Sequence, residues 1–197
     1  MRRPQPFLLS MLVLALTTSP SAAQRVVNTS YTAPDGMRVL RHEVVVPASV
    51  EQVWQAFTTS DGMRSWAAPY ARLDYRLGGI FESGENPDAK PGDPGVVRQV
   101  ITSYLPPRMI SFHLTEAPPG FPAPEVVPDV FTVVQLDPAG PKRTRVTLSS
   151  VGYRSGEAFD RAYSMFAQGN PFYLQMLYRR FHDGPIDWRT VATTHEH

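Results

Sequence analysis

The sequence predicts an α+β domain in which a curved antiparallel sheet of about six to seven strands wraps one long C-terminal helix. Three observations lead there. Between residues 71 and 151, apolar side chains come in short β-branched runs broken by glycine and proline, the pattern of antiparallel strands. From residue 157 to 181 the period changes, and Phe159, Tyr163, Phe166, Tyr173, Leu174, Leu177 and Phe181 recur at helical spacing. An antiparallel sheet needs one face covered, and this helix is the only predicted element long enough to cover it.

The elements follow in chain order. Arg2 and Arg3 precede an apolar stretch at residues 7–16, and Ser21-Ala22-Ala23 supplies small residues beyond it. These are the parts of a cleavable secretory leader over residues 1–23. The apolar run falls short of the roughly 20 residues a membrane span takes, so no stable membrane anchor is expected after cleavage. The expected location is periplasmic or secreted. Residues 24–36 are polar and are expected to form a flexible, irregular lead-in.

Residues 37–46 read as a strand with Leu40, His42, Val44 and Val46 on one face. Pro47 ends it, and Ser49 is placed to cap a helix that runs to residue 57. Ser60-Asp61-Gly62 breaks that helix, and a second short turn brings Trp66 round. Residues 71–77 and 80–83 form strands joined through Gly78-Gly79, a hairpin signal. Strands at 96–104 and 109–115 meet at Pro106-Pro107, and strands at 130–136 and 144–151 make a last hairpin. Proline-rich loops occupy 85–95 and 117–128. Within the long helix, Gly169-Asn170-Pro171 predicts a kink or restart with Asn170 as cap, because proline costs a helix interior roughly 3 kcal/mol. Asp183-Gly184-Pro185 then ends it, leaving 37–185 as the domain and 186–197 as a loose tail.

Composition narrows the function. The 197 residues carry 19 Lys and Arg against 18 Asp and Glu, a formal charge of +1. Loss of residues 1–23 removes two arginines and no acids, which takes the balance to −1. So even a balance gives no electrostatic case for nucleic acid or an anionic membrane. The chain has no cysteine, which excludes disulfides, thiolate metal sites and cysteine nucleophiles.

No catalytic constellation appears. There is no G-x-S-x-G elbow, phosphate loop or dinucleotide fingerprint, and no metal-binding i, i+4 pair of His, Asp or Glu on a predicted helix. No metal or cofactor is expected. His113 alternates to the solvent side, His182 suits the C-terminal end of the helix dipole, and His195 and His197 sit in the tail. Asp61, Asp74, Glu82 and Glu116 read as solvated charges. The aromatics are more suggestive. By alternation and helical phase, Trp66, Phe81, Phe112, Tyr163, Phe166 and Tyr173 are placed to line one cavity, with His42 at its side and Asn170 at its mouth. Tyr163, Asn170 and Tyr173 would be its polar handles.

The run from Val46-Pro47-Ala48-Ser49 through Val53-Trp54 to Phe57, then Trp66, then Leu77-Gly78-Gly79-Ile80-Phe81-Glu82, resembles the opening of the START-like (SRPBCC) superfamily. Residues 143–148, and Phe166 through Gly169-Asn170 to Leu177, resemble its last strand and long helix. The branch most similar is the one named for activators of the 90-kilodalton heat-shock-protein ATPase. The resemblance spans residues 37–185 and implies a helix-grip fold whose cavity holds a small apolar or aromatic molecule. It does not carry over the chaperone partner, which is cytosolic. The expected function is an exported binding protein for a small, largely apolar ligand. A cyclase- or hydratase-like enzyme using the same cavity, and a protein-interaction module using the proline-rich loops, stay open as alternatives.

Overall fold

The computed structural model describes residues 26–115 and 119–192. The expected leader at 1–23 lies outside the described residues, as do Glu116, His195 and His197. Nine strands among the described residues form one antiparallel sheet. They are β1 (Val27–Asn28), β2 (Tyr31–Thr32), β3 (Arg38–Val46), β4 (Tyr70–Leu73), β5 (Ile80–Gly84), β6 (Val97–Leu105), β7 (Met109–Leu114), β8 (Phe131–Pro138) and β9 (Thr144–Tyr153). The spatial order is β1-β3-β9-β8-β7-β6-β5-β4, with β2 also on β3. The sheet curves without closing. The helices are α1 (Val50–Thr58), α2 (Ser60–Arg64), α3 (Glu157–His182) and α4 (Trp188–Ala192), and a 3₁₀ turn covers Pro124–Asp129. This is the expected helix-grip arrangement, with α3 lying across the concave face.

Local chemistry explains the first helices. Ser49 Oγ accepts from the Gln52 N–H at 3.3 Å while Gln52 Oε1 accepts from the Ser49 N–H at 3.0 Å, a reciprocal capping box. Val50, Val53, Ala56 and Phe57 are buried. The break falls at Thr59, one residue before the expected Ser60. Thr59 is extended, and its Oγ1 accepts from the Gly62 N–H at 2.9 Å, so it ends α1 and caps α2. Strand β4 stops at Leu73 and not at 77, because the turn to β5 takes residues 74–79. Gly78 there has φ +71°, and a Cβ on Gly79 would sit 1.9 Å from the Asp74 carbonyl oxygen.

Three expectations are corrected. The lead-in is not irregular throughout: β1 and β2 pair with β3, and Ser30 Oγ takes the Arg41 N–H at 2.9 Å. An otherwise bare edge of β3 supplies backbone partners that polar residues satisfy as well as apolar ones. The segment after 185 is not a loose tail through residue 192. The Ile186 N–H donates to Ser65 O at 3.0 Å and Trp188 Nε1 to Arg64 O at 2.6 Å, and both side chains pack against the core. Finally, α3 runs from Glu157 to His182 as one helix with Pro171 inside it, so the expected restart with Asn170 as cap does not occur. Leu174 and Leu177 are fully buried on the sheet side. At roughly 1.5–3 kcal/mol each, their burial exceeds the cost of about 3 kcal/mol for an internal proline. Tertiary packing overrides the local signal.

The core divides in two. A larger cluster joins α1, α2 and the C-terminal half of α3 to the sheet through Phe57, Met63, Trp66, Ile101, Leu136 and Leu177. A smaller one gathers Leu40, Val126, Val130, Tyr153 and Ala162 near the start of α3, with Phe121 and Phe166 packed against it.

Candidate ligand cavity

Between these clusters, under the middle of α3, lies a cavity of about 330 Å³. Its floor is the concave face of the sheet. Strand alternation sends Phe81 and Ser83 of β5, Val97 and Gln99 of β6, Phe112 and Leu114 of β7, Thr132 of β8 and Leu148 of β9 into it. Its roof is one stripe of α3. Met165, Gly169 and Tyr173 stand four residues apart, with Phe166 and Asn170 beside them. Ala67, Phe121 and Val130 complete the lining.

Gly169 sits in the roof. A Cβ built there would meet nothing within 4 Å. Glycine in a helix interior costs roughly 1 kcal/mol against alanine, so helix propensity does not explain its presence. The residue is exposed, so the space beside it opens to solvent at the rim of the cavity.

Asn170 is buried, and its Nδ2 donates to Ser150 Oγ at 3.3 Å. The side-chain polar ends of Ser83, Gln99, Thr132 and Tyr173 have no hydrogen-bond partner among the described residues. Burial pushes the Tyr173 hydroxyl well above the ordinary phenol range, so it stays a neutral O–H. No Asp, Glu, Lys, Arg or His is among the described lining residues. The arrangement can enclose an apolar body and offer it uncharged hydrogen bonds.

Five of the eight expected site residues meet here: Phe81, Phe112, Phe166, Asn170 and Tyr173. Asn170 does so as a buried roof residue and not as a helix cap. Three do not line the cavity. Trp66 is fully buried behind Tyr173, with ring centroids 4.4 Å apart, and its Nε1 donates to Ala56 O at 3.1 Å. It backs the wall. Tyr163 turns toward Tyr153, 5.0 Å away, beneath the Arg38 guanidinium. It lies about one turn before Phe166 and two before Asn170, so it shares their side of the helix but packs further toward the N-terminus, against the smaller cluster. His42 points inward from β3 and is buried, but β3 lies beyond β9 at the far side of the floor. Its Nδ1 has no partner among the described residues, and burial lowers its pKa below the usual imidazole value.

Ser83, Gln99, Thr132 and Gly169 are missing from the expected set. For the three strand residues the signal is the alternation that selected Phe81 and Phe112, extended to the polar residues on the same faces, and for Gly169 it is the four-residue spacing from Tyr173. Glu82 also departs from expectation. It is buried, not solvated, on the opposite face of β5. Arg98 Nε lies 3.2 Å from its Oε1 and Arg72 Nη1 lies 3.8 Å from its Oε2, while the Tyr70 hydroxyl donates to Oε2 at 3.3 Å. Among the described residues, no group of three or more His, Cys, Asp or Glu could hold a metal ion, and no helix is long and apolar enough to cross a membrane.

Known structures share this architecture. CalU16 from Micromonospora echinospora superposes with a TM-score of 0.58 at 20% identity, over 85% of this chain and 79% of that one. The Aha1 protein from Colwellia psychrerythraea, solved as a dimer, gives 0.56 at 18% identity, over 74% of this chain and 97% of its own. Protein MLL2253 from Mesorhizobium loti gives 0.56 at 18%, over 76% and 100%. At these identities the likeness is one of fold. No curated protein sequence matches the chain. The family described as "Activator of Hsp90 ATPase homolog 1-like protein" matches residues 47–182, from the turn before α1 to the last residue of α3. With more than half its length in that match, the chain belongs to this family, within the START-like (SRPBCC) superfamily.

Proposed function

We propose that this chain is an exported binding protein that holds a small, largely apolar ligand between α3 and the sheet. The observation that carries the reading is the cavity of about 330 Å³ whose helical roof has a glycine at its open point. That size is at the small end of the roughly 300–1,000 Å³ of small-molecule sites. Aromatic walls supply burial, and a handful of neutral polar groups supply orientation. The absence of Asp, Glu, Lys, Arg and His from the described lining, with the Tyr173 hydroxyl held neutral, favours carriage over proton-transfer chemistry. Export rests on the charge, length and small-residue pattern of residues 1–23.

Gly169→Leu tests the cavity. The new side chain enters open space and improves helix propensity by up to about 1 kcal/mol. Binding of a neutral fluorescent probe such as 1-N-phenylnaphthylamine is expected to disappear while the melting temperature holds or rises. Undiminished probe binding by this variant and also by Phe166→Ala, whose side chain lines the space, would rule out this cavity as the site. Native mass spectrometry of protein from an exporting host reads any retained ligand as added mass. Fractionation with N-terminal sequencing tests export, and a cytosolic product still starting at Met1 would refute it.

A further inference from the structure

Resting on the cavity reading, we infer that the ligand is an uncharged, two-ended molecule: an apolar, ring-sized middle with a hydrogen-bonding group at each end. The inference comes from the sheet register. On the floor, Gln99 of β6 stands opposite Leu114 of β7, and Thr132 of β8 stands opposite Phe112 of β7. Apart from the Tyr173 hydroxyl, which comes from the roof, the unpartnered polar groups of the floor therefore fall in two places. Gln99 forms one end, with Ser83 a diagonal neighbour across the Phe81–Gln99 and Ser83–Val97 pairs. Thr132 forms the other, paired with Ser150, whose hydroxyl already holds Asn170.

Between the two ends lies β7, which presents only Phe112 and Leu114 to the cavity. Two strand spacings separate Gln99 from Thr132, at least about 10 Å. That is the length of a two-ring compound with a polar atom at each tip. Hydrogen-bonding capacity at both ends is free, since neither the Gln99 carboxamide nor the Thr132 hydroxyl has a partner among the described residues. A ligand that fills the middle but lacks polar tips would cover these groups and leave them unsatisfied. A ligand with charged tips would lose its hydration and find no counter-charge among the described lining residues.

Displacement of 1-N-phenylnaphthylamine from the purified protein by three compounds with one shared core tests this. They are biphenyl, 4,4′-dihydroxybiphenyl and biphenyl-4,4′-dicarboxylate. The diol is expected to bind at least about tenfold more tightly than biphenyl, and the dicarboxylate not to compete. Gln99→Leu and Thr132→Val should each weaken the diol by about fivefold, the effect of one neutral hydrogen bond, and should tighten biphenyl, because the variant no longer buries an unsatisfied polar group beneath it. Cooperative denaturant melts, with midpoints close to that of the wild type, certify that the variants are folded. Equal affinity for biphenyl and the diol, or competition by the dicarboxylate, would overturn the two-ended inference and leave the cavity standing. Failure of the probe and of biphenyl to bind at all would remove the cavity reading itself, and this inference with it.

Discussion

Asn170 and Ser150 join the middle of α3 to β9: the carboxamide nitrogen donates to the hydroxyl at 3.3 Å, and both residues are buried. The contact lies beside the cavity, next to the proline that removes a rung from the helix ladder. Asn170→Ala leaves Ser150 buried without this partner and is expected to cost about 1–3 kcal/mol. Because the two residues touch, their substitutions should not add. In urea melts, the Asn170→Ala, Ser150→Ala double variant should be less destabilised than the sum of the singles, by about 0.5–1.5 kcal/mol. Strict additivity would mean that the bond holds nothing.

Glu82 and Arg98 make an ion pair whose two partners are unequally placed. The carboxylate is almost wholly buried, whereas the Arg98 side chain is 40% exposed. Removing the glutamate charge leaves two arginines that water can solvate. Removing Arg98 leaves a buried carboxylate with a single, more distant guanidinium at 3.8 Å. Arg98→Leu should therefore cost more than Glu82→Gln: about 3 kcal/mol against about 1 kcal/mol. Equilibrium denaturation of both variants checks the order, and a larger loss for Glu82→Gln would contradict it.

Local signals were legible in the sequence where one physical cause acted alone. Ser49 caps α1 because its side chain competes for backbone donors, and that preference needs no tertiary knowledge. Alternation located Phe81 and Phe112 on the inner face because strand geometry sends every second side chain the same way. Pro171 signals a restart that α3 does not make, because its cost is local while its compensation, the burial of Leu174 and Leu177, is tertiary. Trp188 was obscured because a short segment has no period to detect, and its docking depends on a carbonyl that the turn after α2 happens to present. In the cavity, aromatic content drew attention to Tyr163 and Trp66, whereas register with neighbouring strands selects Gln99 and Thr132. Register cannot be read from a single strand.

His42 gives a pH test. Burial lowers its pKa in the folded protein below the unfolded value of 6.5. Below pH 6.5 the unfolded chain therefore takes up a proton that the folded chain still refuses. The stability associated with the neutral imidazole is fully present above that pH. It is lost as the pH falls toward the folded pKa. Comparison with His42→Gln cancels the other titrating groups. The difference in unfolding free energy, wild type minus variant, should be flat well above pH 6.5 and decline as the pH falls below it. A difference that stays constant through that fall would show that His42 is not buried in its neutral form.

Phe166 and Phe57 are the same side chain in different surroundings, and the contrast decides whether the space under α3 is real. Phe57 is buried in the larger cluster, edge-on to Trp66 at 5.1 Å. Phe166 is half-buried and lines a cavity that is already there. Truncating Phe57 to alanine opens a new hole in close-packed surroundings and should cost about 3–5 kcal/mol. Truncating Phe166 enlarges existing room and removes fewer contacts, so about 1–2 kcal/mol is expected by the same reasoning. Probe binding should move the other way. Phe166→Ala should alter the affinity for 1-N-phenylnaphthylamine severalfold, and Phe57→Ala should leave it unchanged wherever the protein stays folded. Denaturant melts and probe titrations on the two variants separate these outcomes. Equal destabilisation, with probe binding insensitive to Phe166, would mean that α3 closes tightly onto the sheet in solution, and the binding function would lose the cavity on which it rests.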